Sequence, residues 1–138
     1  MVAGVDLSME QAIAAGIRPL MKQTERTGCQ QFAENDPAHA LAGLCNISAL
    51  QYKNPSLVSS TNSVGTKLKV AMVMERFDTI GMDLVALCAN DVVARGAEPV
   101  FLMGHLAAPK LDMQQTLQVN QGVTEACLEE GCALLNSK

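Results

Sequence analysis

The sequence predicts an α/β fold, and three observations carry that prediction. Apolar residues recur at the helical spacing of about 3.6 residues in the segments 9–27, 78–95 and 112–130. Pro99-Val-Phe-Leu-Met103 is short, continuously apolar and preceded by a breaker, the pattern of a strand buried on both faces. The elements alternate helix, strand, helix, strand, helix, strand, with no internal repeat or low-complexity segment between them.

Met9 to Thr27 is predicted helical: Asp6 or Ser8 caps it, Glu10 lies in the first turn, and Ile13, Ile17, Leu20 and Met21 mark an apolar face. Pro19 predicts a kink or two shorter helices, with Gly28 ending the element. Lys22, Glu25 and Arg26 form a solvated face. Cys29 to Tyr52 reads as polar loop through Glu34-Asn-Asp-Pro-Ala-His39, then a short apolar piece from Ala40 to Leu50. Pro55 to Ser60, centred on Leu57-Val58, is predicted as the first strand. A turn rich in Ser and Thr leads from it into a short amphipathic helix, Val70 to Met74.

The next helix starts at Arg76 to Asp78, with Asp78 or Thr79 as cap. Ile80, Leu84, Leu87, Cys88 and Val92 form its apolar row, Arg95 suits its negative end, and Gly96 terminates it. After the strand at 99–103, Gly104 to Lys110 is a loop in which His105, like His39 earlier, reads as an exposed histidine. Asp112 caps a helix running to about Glu130, with Gln115 in capping-box position, Met113, Leu117, Val123 and Cys127 on one side, and Gly131 after its end. Cys132 to Leu135 begins a last strand.

A chain of 138 residues is one domain's worth and buries roughly two-thirds of its unfolded surface. With 49% apolar residues, only 3% aromatic and no Trp, the core must be aliphatic, and base-stacking platforms are excluded. A net charge of -4 with scattered cations gives no basic stripe, which excludes nucleic acid as a partner. No apolar run approaches the roughly 20 residues of a membrane span. The five cysteines are odd in number and form no C-x-x-C, so reduced thiols are expected, with Cys88 and Cys127 as small buried hydrophobes.

The run Ser59-Ser-Thr-Asn-Ser-Val-Gly-Thr-Lys-Leu-Lys69 is strand, small-residue turn and helix start. Such a turn presents backbone N–H groups to an anion, Gly65 permits close approach or positive φ, and Lys67 supplies a point charge to a phosphate. By pattern alone, a solvated loop is the commoner meaning of such a run.

Val64-Gly-Thr-Lys-Leu68, then Phe77-Asp-Thr-Ile-Gly-Met-Asp-Leu-Val-Ala-Leu-Cys-Ala-Asn-Asp91, Gly96-Ala-Glu-Pro99 and Gly131-Cys-Ala-Leu-Leu135 resemble, in order and spacing, aminoimidazole ribonucleotide synthetase, the phosphoribosylformylglycinamidine cyclo-ligase family. The resemblance runs from about Ala3 to Leu135 and is dense from Leu57 to Lys110. It implies the family's amino-terminal domain: a mixed sheet with helices on one face, whose strands pair across a homodimer. Residues 1–138 would form that single domain, with the carboxy-terminal domain absent.

The activity so implied is ATP-dependent ring closure of formylglycinamidine ribonucleotide to aminoimidazole ribonucleotide in cytoplasmic de novo purine biosynthesis, with ATP and Mg²⁺ as cofactors and no membrane partner. Residue by residue, the resemblance assigns Asn62, Gly65, Thr66, Lys67 and Asp78 to the nucleotide, and Asp91 with Asn62 to magnesium. It assigns no catalytic residue. Asn62 stands where the family has Asp, Phe77 where it has His, and Gly104 where an Asp is expected. Losing a charged contact costs about 2–4 kcal/mol of transition-state stabilisation. With the chain ending at Lys138, these departures point to the alternative of a truncated pseudoenzyme: a silent dimerising relative, or a nucleotide binder without turnover.

Overall fold

The computed structural model describes residues 7–31, 42–108 and 112–137. Within them the chain is a mixed α/β structure of helices and two small sheets. Asp6, the stretch Glu34 to His39 and Lys110 lie outside the described residues.

Helix α1 spans Leu7–Gln23 as one element with Pro19 inside it, so the predicted division into two does not occur. Ile13, Ile17 and Met21, one turn apart, are buried against Val85, Val123, Cys127 and Leu134. That packing holds the helix across the backbone bond that proline removes. The helix ends at Gln23, short of Thr27, where the chain turns over Thr24. The buried Thr24 hydroxyl donates to the Met21 carbonyl at 2.7 Å and accepts from the Leu134 amide at 2.8 Å.

The segment read as loop contains two strands. Strands β1 (Cys29–Gln31) and β2 (Gly43–Cys45) pair antiparallel, with Cys29 opposite Cys45, Gln30 opposite Leu44 and Gln31 opposite Gly43. Strands this short carry too few positions to show alternation. A 3₁₀ turn at Ile47–Leu50 follows, capped by Asn46, whose side chain accepts from the Ser48 amide at 3.1 Å.

Pro55 to Ser60 is not a strand. It runs without a ladder partner among the described residues, and Leu57 is 75% exposed. Helix α2 (Lys67–Met74) starts before Val70 and is not amphipathic: only Ala71 is buried, while Val70, Met72, Val73 and Met74 face outward.

Helix α3 (Asp78–Val93) departs from prediction in its cap and its inner row. Phe77 occupies the N-cap position without a side-chain bond, and Asp78 sits in the first turn paired with Arg76. The buried row is Ile80, Gly81, Val85 and Ala89, whereas Leu87 is exposed. Backbone contact with helix α4 (Met113–Glu130) sets that rotation. A Cβ on Gly81 would stand 2.3 Å from the Val119 carbonyl oxygen, so the glycine face turns inward. Helix α4 matches its prediction at both ends, where Asp112 accepts from the Gln115 amide at 2.8 Å and Gly131 closes the helix at φ +67°, but Met113 of the predicted apolar side is exposed.

Strands β3 (Phe101–Gly104) and β4 (Ala133–Ser137) pair parallel with α4 as the crossover. The register shifts between Leu102 and Met103, which leaves Leu135 unpaired. Strand β3 is not buried on both faces, since Met103 is 69% exposed. Gln31 of β1 reaches β4, its side-chain amide donating to the carbonyls of Leu134 at 2.8 Å and Leu135 at 3.2 Å. All five cysteines are free thiols.

Candidate nucleotide and metal site

Residues 59–64 approach α2 without regular structure, and the chain turns at Gly65 with φ +59°. Nothing lies within 4 Å of where a Cβ on Gly65 would stand, so the turn is open to solvent on that side. The Gly65 carbonyl accepts from the Leu68 amide at 3.3 Å and the Thr66 carbonyl from the Lys69 amide at 3.0 Å. Thr66 is the α2 N-cap but makes no side-chain cap bond.

Two predicted ligands meet. Asn62 Nδ2 donates to Asp91 Oδ2 at 2.8 Å, and Ser60 Oγ donates to the same oxygen at 2.8 Å. The turn is thereby tied to the C-terminal half of α3. These bonds, Ser60 first and then Asn62, hold the Asp91 carboxyl below the usual range, with Arg95 adding a smaller push in the same direction. Burial raises the neighbouring Cys88 thiol, and bonds from Asn62 oppose that rise.

Lys67 and Asp78 are not part of that cluster. Lys67 Nζ pairs with Asp83 Oδ2 at 2.9 Å, and Arg76 Nε pairs with Asp78 Oδ1 at 2.9 Å. The Arg76 bond is the main reason the Asp78 carboxyl is lowered. Lys67, Arg76, Thr79 and Asp83 line a cavity of about 310 Å³, floored by Ala71 and Ile80. The predicted ligands thus fall in two places, the Asp91 cluster and a cavity at Lys67 whose cations are each paired with a carboxylate. Sequence reasoning missed Ser60, Arg76 and Asp83. A signal was present for Asp83, a carboxylate on an otherwise apolar helix, which needs a partner.

Phe77 is buried with Ala71 and Ile80, so the position offers packing and no titratable group. Gly104 lies in β3, and His105 is exposed just beyond it. Among the described residues, no three of His, Cys, Asp and Glu gather in a metal-binding group. The Asp91 carboxylate and Ser60 hydroxyl are hard oxygen ligands of the kind that suit Mg²⁺, but Asn62 turns its amide nitrogen toward Asp91, so its carbonyl would join them only with the amide reversed. That ion commonly takes one or two carboxylates and completes its shell with water and phosphate.

The family described as AIR synthase related protein, N-terminal domain, matches residues 42–137. The chain belongs to this family. It is 45% identical over 136 residues to the trifunctional purine biosynthetic protein adenosine-3 of Gallus gallus, covering 99% of this chain and 13% of that protein. The human protein of the same name is 42% identical over the same span. The phosphoribosylformylglycinamidine cyclo-ligase of Geotalea uraniireducens (strain Rf4) is 43% identical over 136 residues, with 99% of this chain and 38% of the cyclo-ligase aligned. The chain thus spans well under half the length of those relatives. Among its described residues, no helix is long and apolar enough to cross a membrane.

Proposed function

We propose that this chain is the nucleotide-binding, amino-terminal part of a phosphoribosylformylglycinamidine cyclo-ligase. It would serve the ATP-dependent closure of formylglycinamidine ribonucleotide to aminoimidazole ribonucleotide in cytoplasmic purine biosynthesis. The observation that carries the reading is the convergence of Asn62 and Ser60 on Asp91, next to the open Gly65 turn. Asp91 and, with its amide reversed, the Asn62 carbonyl would hold Mg²⁺, which would supply charge neutralisation to phosphate. The turn from Gly65 to Lys67 receives phosphate oxygens, and Asp78 contacts the nucleotide. Lys67 is available for that task. Its pair with Asp83 is solvent-exposed, and such a pair is worth only about 0–1 kcal/mol, so a phosphate displaces it.

The second reading, a dimerising relative without turnover, is favoured by the exposed apolar side chains of α2 together with Leu57 and Val58, and by the burial of Phe77. A homodimer formed through that surface is common to both readings.

Calorimetric titration of the full chain with Mg-ATP, with sedimentation on the same sample, separates them. Saturable binding by a dimer, lost in Lys67→Ala and Asp91→Ala, is expected. A folded dimer that leaves millimolar ATP unbound overturns the nucleotide reading and leaves the silent relative.

A further inference from the structure

Cys29 and Cys45 stand opposite each other across β1 and β2, and the Cys29 thiol donates to the Cys45 sulfur at 2.9 Å. That is a closer approach than two unlinked sulfur atoms ordinarily keep. The ladder explains it. Next to the cysteine pair, the Asn46 amide donates to the Gly28 carbonyl at 2.6 Å, which makes Gly28 and Asn46 a hydrogen-bonded pair. Alternation along an antiparallel ladder then makes Cys29 and Cys45 a non-hydrogen-bonded pair, where Cα atoms come within about 4.5 Å and side chains lie closest. A disulfide bridges Cα separations of about 4.4–6.8 Å, so the backbone need not move far to accept one.

The two sulfurs differ in access. Cys29 is fully buried against Ala133 and Leu135, while Cys45 is half-buried at the margin of the same cluster. Burial, and then the bond to Cys45, push the Cys29 thiol up to about 12. An incoming reagent therefore meets Cys45 first, and Cys29 waits behind it as the resolving thiol.

We propose that Cys29 and Cys45 form a reversible intramolecular disulfide by exchange with a small-molecule disulfide. The Cys45 thiolate attacks one sulfur of the oxidant, its S–S bond breaks, and one equivalent of small thiol leaves with the proton that Cys45 gave up. Cys29 then loses its proton and attacks the Cys45 sulfur. The mixed disulfide breaks, the Cys29–Cys45 bond forms, and a second small thiol departs with that proton. Two protein thiols are oxidised and one disulfide is reduced to two thiols. The bridge fastens β1 to β2 where both lie against β4, through Gln31 on one strand and Gly43 on the other. Cys127 on α4 and Cys132 beyond its end are buried and hydrogen-bonded to each other, out of reach of a reagent in the folded chain, and with the half-buried Cys88 they serve as internal references.

The full chain is equilibrated with glutathione disulfide under native conditions, quenched by alkylation, digested and mapped by mass spectrometry. The expected product is one cross-link joining the peptides of Cys29 and Cys45, reversed by excess thiol, with the buried Cys127 and Cys132 alkylated only after unfolding and the half-buried Cys88 free of any cross-link. In Cys29→Ala, glutathione should accumulate on Cys45. In Cys45→Ala, Cys29 should stay unmodified. Three results overturn the proposal in the unaltered chain: glutathione on Cys45 with Cys29 still free, cross-links distributed as in chain oxidised in denaturant, or no cross-link in a buffer that oxidises a free dithiol. Because these are read on the unaltered chain, they decide the question even if a variant fails to fold.

Discussion

Gly122 of α4 rests on the carbonyl oxygen of Asp78 at the start of α3, so closely that a Cβ on Gly122 would fall 1.8 Å from that oxygen. No side chain can yield to relieve the clash, because backbone faces backbone. Gly122→Ala should therefore destabilise the fold by about 1–3 kcal/mol, the usual cost of overpacking. Urea unfolding would measure it, with Leu128→Ala on the exposed side of α4 changing stability by about 0.5 kcal/mol or less. An equal midpoint for the two variants would count against this account of the helix crossing.

Thr24→Val keeps shape but removes both bonds of the buried hydroxyl, leaving the Leu134 amide without its acceptor. An orphaned buried donor costs about 1–3 kcal/mol. Hydrogen exchange at Leu134 should accelerate more than exchange at Ala133, whose amide keeps its bond to the Val100 carbonyl at 3.0 Å. Uniform acceleration of both would show that the effect is global.

The Asp91 carboxyl is held low by Ser60 and then Asn62. Its folded value lies below the unfolded value of about 3.9, so its contribution to stability is present above that pH and is lost as pH falls through the folded value. Carboxyl NMR titration should find Asp91 below an ordinary aspartate, and Ser60→Ala should raise it. No rise in that variant would contradict the geometry at Oδ2.

Asn62→Asp tests the metal proposal from the opposite side. It replaces a donor to Asp91 with a second carboxylate, so without cation the two acids repel and the Asp91 carboxyl moves up. With Mg²⁺ the pair should bind more tightly than the natural Asn62–Asp91 pair, on the order of tenfold, because carboxylates are the preferred ligands. Thermal unfolding of the variant should become magnesium-dependent; indifference to magnesium would remove this cluster as a metal site.

Much of the fold is written where a single residue has a single local job. Asp112 and Gly131 bound α4 as expected because capping depends on a few neighbouring residues. The inner face of α3 was misread because Gly81, which carries no apolar signal, faces α4 through backbone contact alone. Leu57 and Val58 have strand composition but no strand to pair with among the described residues, and composition cannot report a missing neighbour. At the site, family resemblance named Asn62 and Asp91 as magnesium ligands, while the hydrogen bond between them is visible only in the fold. The pairing of Lys67 with Asp83 depends on how α2 folds against α3, which no short motif encodes.

Leu134 has both of its main-chain polar groups occupied by side chains, its amide by Thr24 and its carbonyl by Gln31. A residue's N–H and C=O point to the same flank of a strand, so on that flank of β4 Leu134 offers no free backbone group to a further strand. At the sheet's other edge, Phe101–Gly104 has no strand beyond it among the described residues, and Met103 stands in solvent. Thr24 and Gln31 thus act as a chain-terminator built from side chains: at Leu134 they leave an incoming strand nothing to pair with.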